Sequence, residues 1–199
     1  MLALALLTAA TTLTAQPRDT IRVDIDQGSR VWIEGRSNVA AWACRAMTFD
    51  ARVELDSPTG ARLDASAADR IRRVSVKVSA RDLKCGNRRM EHDLYKALRA
   101  DDPAKPSYIV AGFNSVARSG PDNIETQGIL TVLGVDKYIE TRITTERLPD
   151  GTVKARGSVP LLMTDFGVKP PVGLFGLIRS ANEIVVRFEL IIGANALPQ

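Results

Sequence analysis

NIETQGILTVLG (123–134) and VDKYIETRITTERL (135–148) abut, with Gly134 as the punctuation between them. They read as two long antiparallel strands joined by a tight turn, because glycine enters positive φ at no steric cost. The pattern continues on both sides. SYIVAGFNSVAR (107–118) precedes the pair across Ser119-Gly120-Pro121, and GTVKARGSVPLL (151–162) follows it across Pro149-Asp150-Gly151. The Asp-Gly dipeptide suits a hairpin, since both residues tolerate positive φ. NEIVVRFELIIGA (182–194) ends the series, beyond a Gly- and Pro-rich stretch from Gly167 to Gly176.

Further upstream, IRRVSVKVSARDL (71–83) alternates cleanly, with Val74, Val76 and Val78 on one face and Arg73, Ser75 and Lys77 on the other. TIRVDI (20–25) and SRVWIEGRSNV (29–39) are shorter strands around Gly28, the second placing Val31, Ile33 and Gly35 on a common face. MTFDARVELD (47–56) is another strand, ending at the turn Ser57-Pro58-Thr59-Gly60, after which LDASAAD reads as a loop. The segment Ala40–Met47 stays open between strand and loop.

One stretch departs from period two. Met90, Leu94, Ala97 and Leu98 recur at helical spacing among charged residues, which predicts an α-helix near residues 87–100, stopped by Asp101-Asp102-Pro103. Eight or nine strands with one helix exceed a small flat sheet, and closure removes exposed edges. The expectation is all-β: a single antiparallel barrel of about eight strands with that helix against one end.

The 199 residues, 45% hydrophobic and 25% charged, suit one domain with a substantial apolar interior. The net charge of +4 is interspersed along the chain without a lysine-rich tract, which argues against nucleic acid as a partner. Residues 1–15, MLALALLTAATTLTA, resemble the apolar core and cleavage end of a secretory signal without its basic start, leaving 16–199 as the domain and pointing to a periplasmic or secreted protein. Export gives Cys44 and Cys85 meaning, because an oxidising compartment favours a disulfide between them over two buried thiols. Two cysteines and the single His92 supply too few soft ligands for zinc, and no C-x-x-C motif is present. There is no G-x-S-x-G elbow and no H-E-x-x-H, and Asp165-Phe166-Gly167 lacks the companion motifs of a kinase, so no catalytic residues, metal or resident cofactor are expected. No apolar run after Gln16 is long enough to span a bilayer as a helix.

Four stretches together resemble the YceI-like family: SRVWIEGRSNV, DLKCGNRRMEHDLYKAL around the helix, TQGILTVLGVDKYIETRI, and VPLLMTDFGVKPP followed by NEIVVRFELII. The third is the most specific, and the order matches. Cys85 at the helix entry and Trp42-Ala43-Cys44 mark a cysteine-bearing divergent member. The resemblance implies a lipocalin-like barrel holding a polyisoprenoid or isoprenoid quinone, hence an amphiphilic lipid as partner.

A barrel of this size either packs its interior or holds one small apolar ligand. Inward candidates for lining it are Val76, Val78, Ile109, Phe113, Leu130, Val132, Ile143, Val159, Leu161, Val186 and Phe188. Phe166 and Phe175, with Leu174, Leu177 and Ile178, add apolar surface in the Gly/Pro-rich segment that would border the mouth. Arg88 and Arg89 at the helix entry are placed to meet a polar head group. Each set has a bland reading beside it, as core packing or a solvated helix face. Asp165 suits either an ion pair with Lys154, Arg156 or Arg142, or a head group. The leading expectation is an exported carrier for an isoprenoid-type lipid; the alternative is a structural or stress-response accessory with a packed barrel that acts through its outer surface.

Overall fold

A computed structural model describes residues 20–23, 25–56, 71–120 and 122–193. The leader-like residues 1–15 and the Ser57–Gly60 turn lie outside the described residues. The strands are β1 (Thr20–Val23), β2 (Arg30–Ser37), β3 (Ala41–Ala46), β4 (Asp50–Asp56), β5 (Ile71–Ser79), β6 (Leu83–Lys84), β7 (Tyr108–Arg118), β8 (Asn123–Val132), β9 (Val135–Arg147), β10 (Val153–Leu162), β11 (Val172–Gly173) and β12 (Ile178–Ile192). One helix, α1 (Arg88–Ala97), lies between β6 and β7.

The β8–β9 hairpin is as tight as its sequence requires. Val132 pairs directly with Val135, and the two intervening residues, Leu133 and Gly134, both have positive φ (53° and 77°). That is the backbone of a two-residue turn whose twist matches its strands. The β9–β10 connection is built differently from the expected turn: Gly151 has positive φ and Asp150 does not, and Leu148 N–H donates to the Thr152 carbonyl. Within the segment left open between strand and loop, Ala41–Ala46 forms β3, with Cys44 and Ala46 buried on the face shared with Trp42.

All ladders are antiparallel, in the order β1-β4-β5-β7-β8-β9-β10-β12-β2-β3-β6, with β11 paired to β12 off this path. This corrects the expected closed barrel of about eight strands. The eleven strands of the path form one curled, open sheet, a half-barrel whose edges stand 13 Å apart. The physical reason lies in the two strands that closure would join. The free edge of β4 is taken by β1, from Thr20↔Asp56 to Val23↔Val53, and the lower part of β3 is taken by β6 through Arg45↔Lys84 and Ala46↔Leu83. Short added strands therefore cover edges that a barrel would have paired with each other.

Helix α1 begins where Asn87 accepts hydrogen bonds from the N–H groups of Arg89 and Met90, satisfying two donors of the first turn. It ends before Asp101-Asp102-Pro103. Arg99 adopts a left-handed conformation (φ 51°), Ala100 N–H reaches the Tyr95 carbonyl and Arg99 N–H the Lys96 carbonyl. These paired bonds terminate a helix through the backbone itself. Leu98 is buried and Leu94, Tyr95 and Ala97 pack on the core formed by the concave face of the sheet. Tyr95 Oη donates to the carbonyls around β6, and Glu91 accepts from Cys85 N–H, so the helix is fastened to the sheet's last strand.

Candidate ligand-binding site

Period-two alternation sends one face of every long strand into the curl. Val76 and Val78 on β5, Ile109 and Phe113 on β7, Leu130 and Val132 on β8, Ile143 on β9, Val159 and Leu161 on β10, and Val186 and Phe188 on β12 all lie on that concave face. The register joins several directly: Val78↔Ile109, Ile109↔Val132, and Val159↔Val186. Their burial is unequal. Val78, Phe113, Leu130, Val132 and Val159 are buried, whereas Val76, Ile109, Ile143, Leu161, Val186 and Phe188 are only partly so. Val76, Ile109, Leu161, Val186 and Phe188 pack against the buried cluster and keep some solvent-accessible surface along the concave trough of the half-barrel.

Two glycines shape this trough by their neighbours. Gly157 pairs with Phe188 and Gly35 with Trp42, and in each case a Cβ on the glycine would collide with the ring across the strand. Both aromatic rings thus lie flat over a neighbouring strand instead of projecting across the interior.

Between α1 and the β2–β3 hairpin lies a cavity of about 320 Å³. Its walls come from α1 (Arg89, Met90, Asp93, Leu94), from the β2–β3 hairpin (Val39, Trp42, Cys44) and from the β11–β12 segment (Pro171, Gly173, Ile178). Among the described residues the Trp42 indole N–H is buried without a hydrogen-bond partner. The Cys44–Cys85 disulfide (S–S 2.01 Å) ties the cavity's β3 wall to the residues that enter the helix. A second hollow, about 450 Å³, is bounded by Arg30, Trp32, Ala43, Arg45 and Lys84. By alternation these residues belong to the convex face, and the hollow is a groove between long side chains; the concave cavity, with its apolar walls, is the better ligand site.

Phe166 is buried in the core. Arg88 and Arg89 are exposed, and Arg89 alone of the two borders the cavity. Phe175 points away from the body, fully exposed at φ 54°. Asp165 is exposed, and the arginines considered for it are engaged elsewhere: Arg142 with Glu125 (3.0 Å), Arg156 with Glu189 (2.8 Å) and Glu146 (3.6 Å). Glu189 is the convex face's buried carboxylate. Hydrogen bonds from Arg30 and then Arg156 hold its pKa below the ordinary glutamate value against the opposing effect of burial. Glu34 is likewise lowered, by Trp32 and Arg187, and Lys84 is raised by its hydrogen bond to Tyr95.

Trp42, Asp93 and Val39 are not among the lining residues expected from the sequence. The signal available was the alternation Trp42, Cys44, Ala46 within a segment too short to separate strand from loop.

Among the described residues no group of three or more His, Cys, Asp or Glu side chains is placed to hold a metal, and no helix is long and apolar enough to cross a membrane. No family model and no curated protein matches the chain. Solved structures do. BcnA of Burkholderia cenocepacia superposes with a TM-score of 0.64 at 17% identity, over 84% of this chain and 99% of that one. A polyisoprenoid binding domain from Saccharophagus degradans, implicated in plant cell wall breakdown, gives 0.61 at 10% identity, over 88% and 99%. The YCEI protein of Campylobacter jejuni gives 0.53 at 15%, over 91% of each chain. At these identities the likeness is one of fold: the chain has a YceI/BcnA-like fold that carries a disulfide.

Proposed function

We propose that this protein is an exported, non-enzymatic binding or carrier protein for an amphiphilic isoprenoid-type lipid, held along the concave face of the sheet with its polar end toward α1. The observation that carries this reading is the partial exposure of inward apolar side chains, Val76, Ile109, Leu161, Val186 and Phe188, on strands from both sides of the curl. Apolar surface left uncovered inside a fold has a use when an apolar ligand covers it. Arg89 at the cavity wall supplies a charge for a polar or phosphorylated head group, with Arg88 next to it in the first helical turn. The likeness to a polyisoprenoid binding domain supports the ligand class. The disulfide fits a periplasmic or extracellular compartment.

Native mass spectrometry of protein expressed with export, followed by solvent extraction of the same sample, tests the reading. A stoichiometric apolar adduct is expected. A clean apo mass that persists after incubation with isoprenoid alcohols and quinones of several lengths overturns it.

A further inference from the structure

We propose that the rim of the cavity is a membrane-docking device: Phe175 and Leu177 insert into an anionic lipid surface and bring the mouth of the cavity against the bilayer. This deepens the carrier reading and rests on it for its purpose.

Phe175 is fully exposed (105%) and holds a left-handed backbone (φ 54°) that bulky residues avoid; Gly176 follows at φ 96°. Both the conformation and the exposure are unfavourable for the isolated fold. Leu177 is 74% exposed, Val172 56%, and Val39, on the tip of the β2–β3 hairpin, 65%. The two loops are locked together. Asn38 Nδ2 donates to the Leu177 carbonyl (2.9 Å), Arg179 N–H donates to Asn38 Oδ1 (2.9 Å), and Arg179 Nε donates to the Gly176 carbonyl (3.1 Å). The apolar tips therefore form a fixed crown.

Charge selects the partner. GVKPPVGLFGLIR (167–179) contains Lys169 and Arg179 and no acidic residue; the hairpin RSNVAAWA (36–43) contains Arg36 and no acidic residue. Arg88 and Arg89 extend the cations along the first turn of α1. Asp93 lines the cavity beside Gly173, and the exposed Asp165 and Glu183 lie outside the two loop sequences. Protruding apolar side chains among cations match the boundary between headgroups and acyl chains of an anionic leaflet. The crown is also continuous with the cavity, since Val39, Pro171 and Ile178 belong to its wall. A lipid leaving the bilayer there enters the cavity directly.

The test is co-sedimentation with vesicles of phosphatidylglycerol and phosphatidylcholine, and of phosphatidylcholine alone, all free of isoprenoids. Binding to the anionic vesicles, weakened by salt, is expected, with at least a tenfold loss of partitioning in Phe175→Gly/Leu177→Ser. Glycine suits the backbone at 175, so the variant keeps its fold, checked by an unchanged or higher Tm. Lys169→Glu is expected to weaken anionic binding several-fold. Absence of vesicle binding by the wild type, equal binding by the variants, or a concentration-dependent dimer that the double variant abolishes would overturn the proposal, the last assigning the crown to a second copy. Vesicle binding by a protein that takes up no isoprenoid quinone from detergent in native mass spectrometry would leave the docking in place and remove the carrier reading.

Discussion

Glu189 shows how a single side chain on the convex face couples stability to pH. It is 11% exposed at the side chain and accepts hydrogen bonds from Arg30 on β2 and Arg156 on β10, across the strand β12 that carries it. Because its folded pKa is lowered, its contribution is complete above the unfolded glutamate pKa of about 4.3 and disappears as pH falls through the folded value. Glu189→Gln is expected to cost about 1–3 kcal/mol at neutral pH, the scale of a hydrogen bond to a charged group, and to flatten the loss of stability below about pH 4.5. Urea unfolding from pH 3 to 7 measures both; a parallel offset between the two proteins at all pH values would disprove the linkage. The sequence offered no route to this cluster. Arg30, Arg156 and Glu189 are far apart along the chain and meet only through the β2–β12–β10 register.

Among the elements, α1 illustrates what local sequence does and does not specify. Its apolar spacing was readable because Met90, Leu94, Ala97 and Leu98 fall on one face. Its start follows from Asn87, and Asn87→Ala is expected to lower stability by about 1 kcal/mol in thermal or denaturant unfolding, with Asn87→Ser largely neutral. Asp101-Asp102-Pro103 marked a stop near residue 100, but the capping conformation was not readable, since the left-handed residue is Arg99, a position where glycine is the usual signal. The same contrast divides the strands. Alternating segments such as IRRVSVKVS declare themselves, whereas β3 is six residues long, three of them alanine, and takes its inward face from the pairing Gly35↔Trp42 and Ile33↔Cys44. Which residues face inward was legible wherever the alternation was long. The cavity at the helix end was not, because its walls come from three separate parts of the chain.

For the whole molecule, closure was the property that strand count suggested and pairing refused. Strand number is a local inference; which edges meet depends on partners dozens of residues away, and two-residue β6 and four-residue β1 changed the outcome. Covalent linkage reinforces one edge of the open sheet, since Cys44 lies on β3 and Cys85 follows β6, the strand paired to it. The Cys44–Cys85 bond closes a loop of sequence separation 41 that contains β4 and β5. On the chain-entropy model its removal costs about 4 kcal/mol, so Cys44→Ala/Cys85→Ala is expected to unfold at correspondingly lower denaturant. A variant with wild-type stability would mean that the bond constrains little of the unfolded chain.

A hydrogen-bonded cylinder has a bore set by its strand number and shear, and changing that bore means breaking ladder bonds. The open seam removes this restriction. No ladder joins its edges, which are linked instead through residues 47–49 between β3 and β4, the Ala80–Asp82 turn between β5 and β6, and the disulfide from β3 to the residue after β6. Girth is then left unset by any ring of ladder bonds: the sheet is a clasp and not a pipe, its diameter held by short connections and one covalent bond.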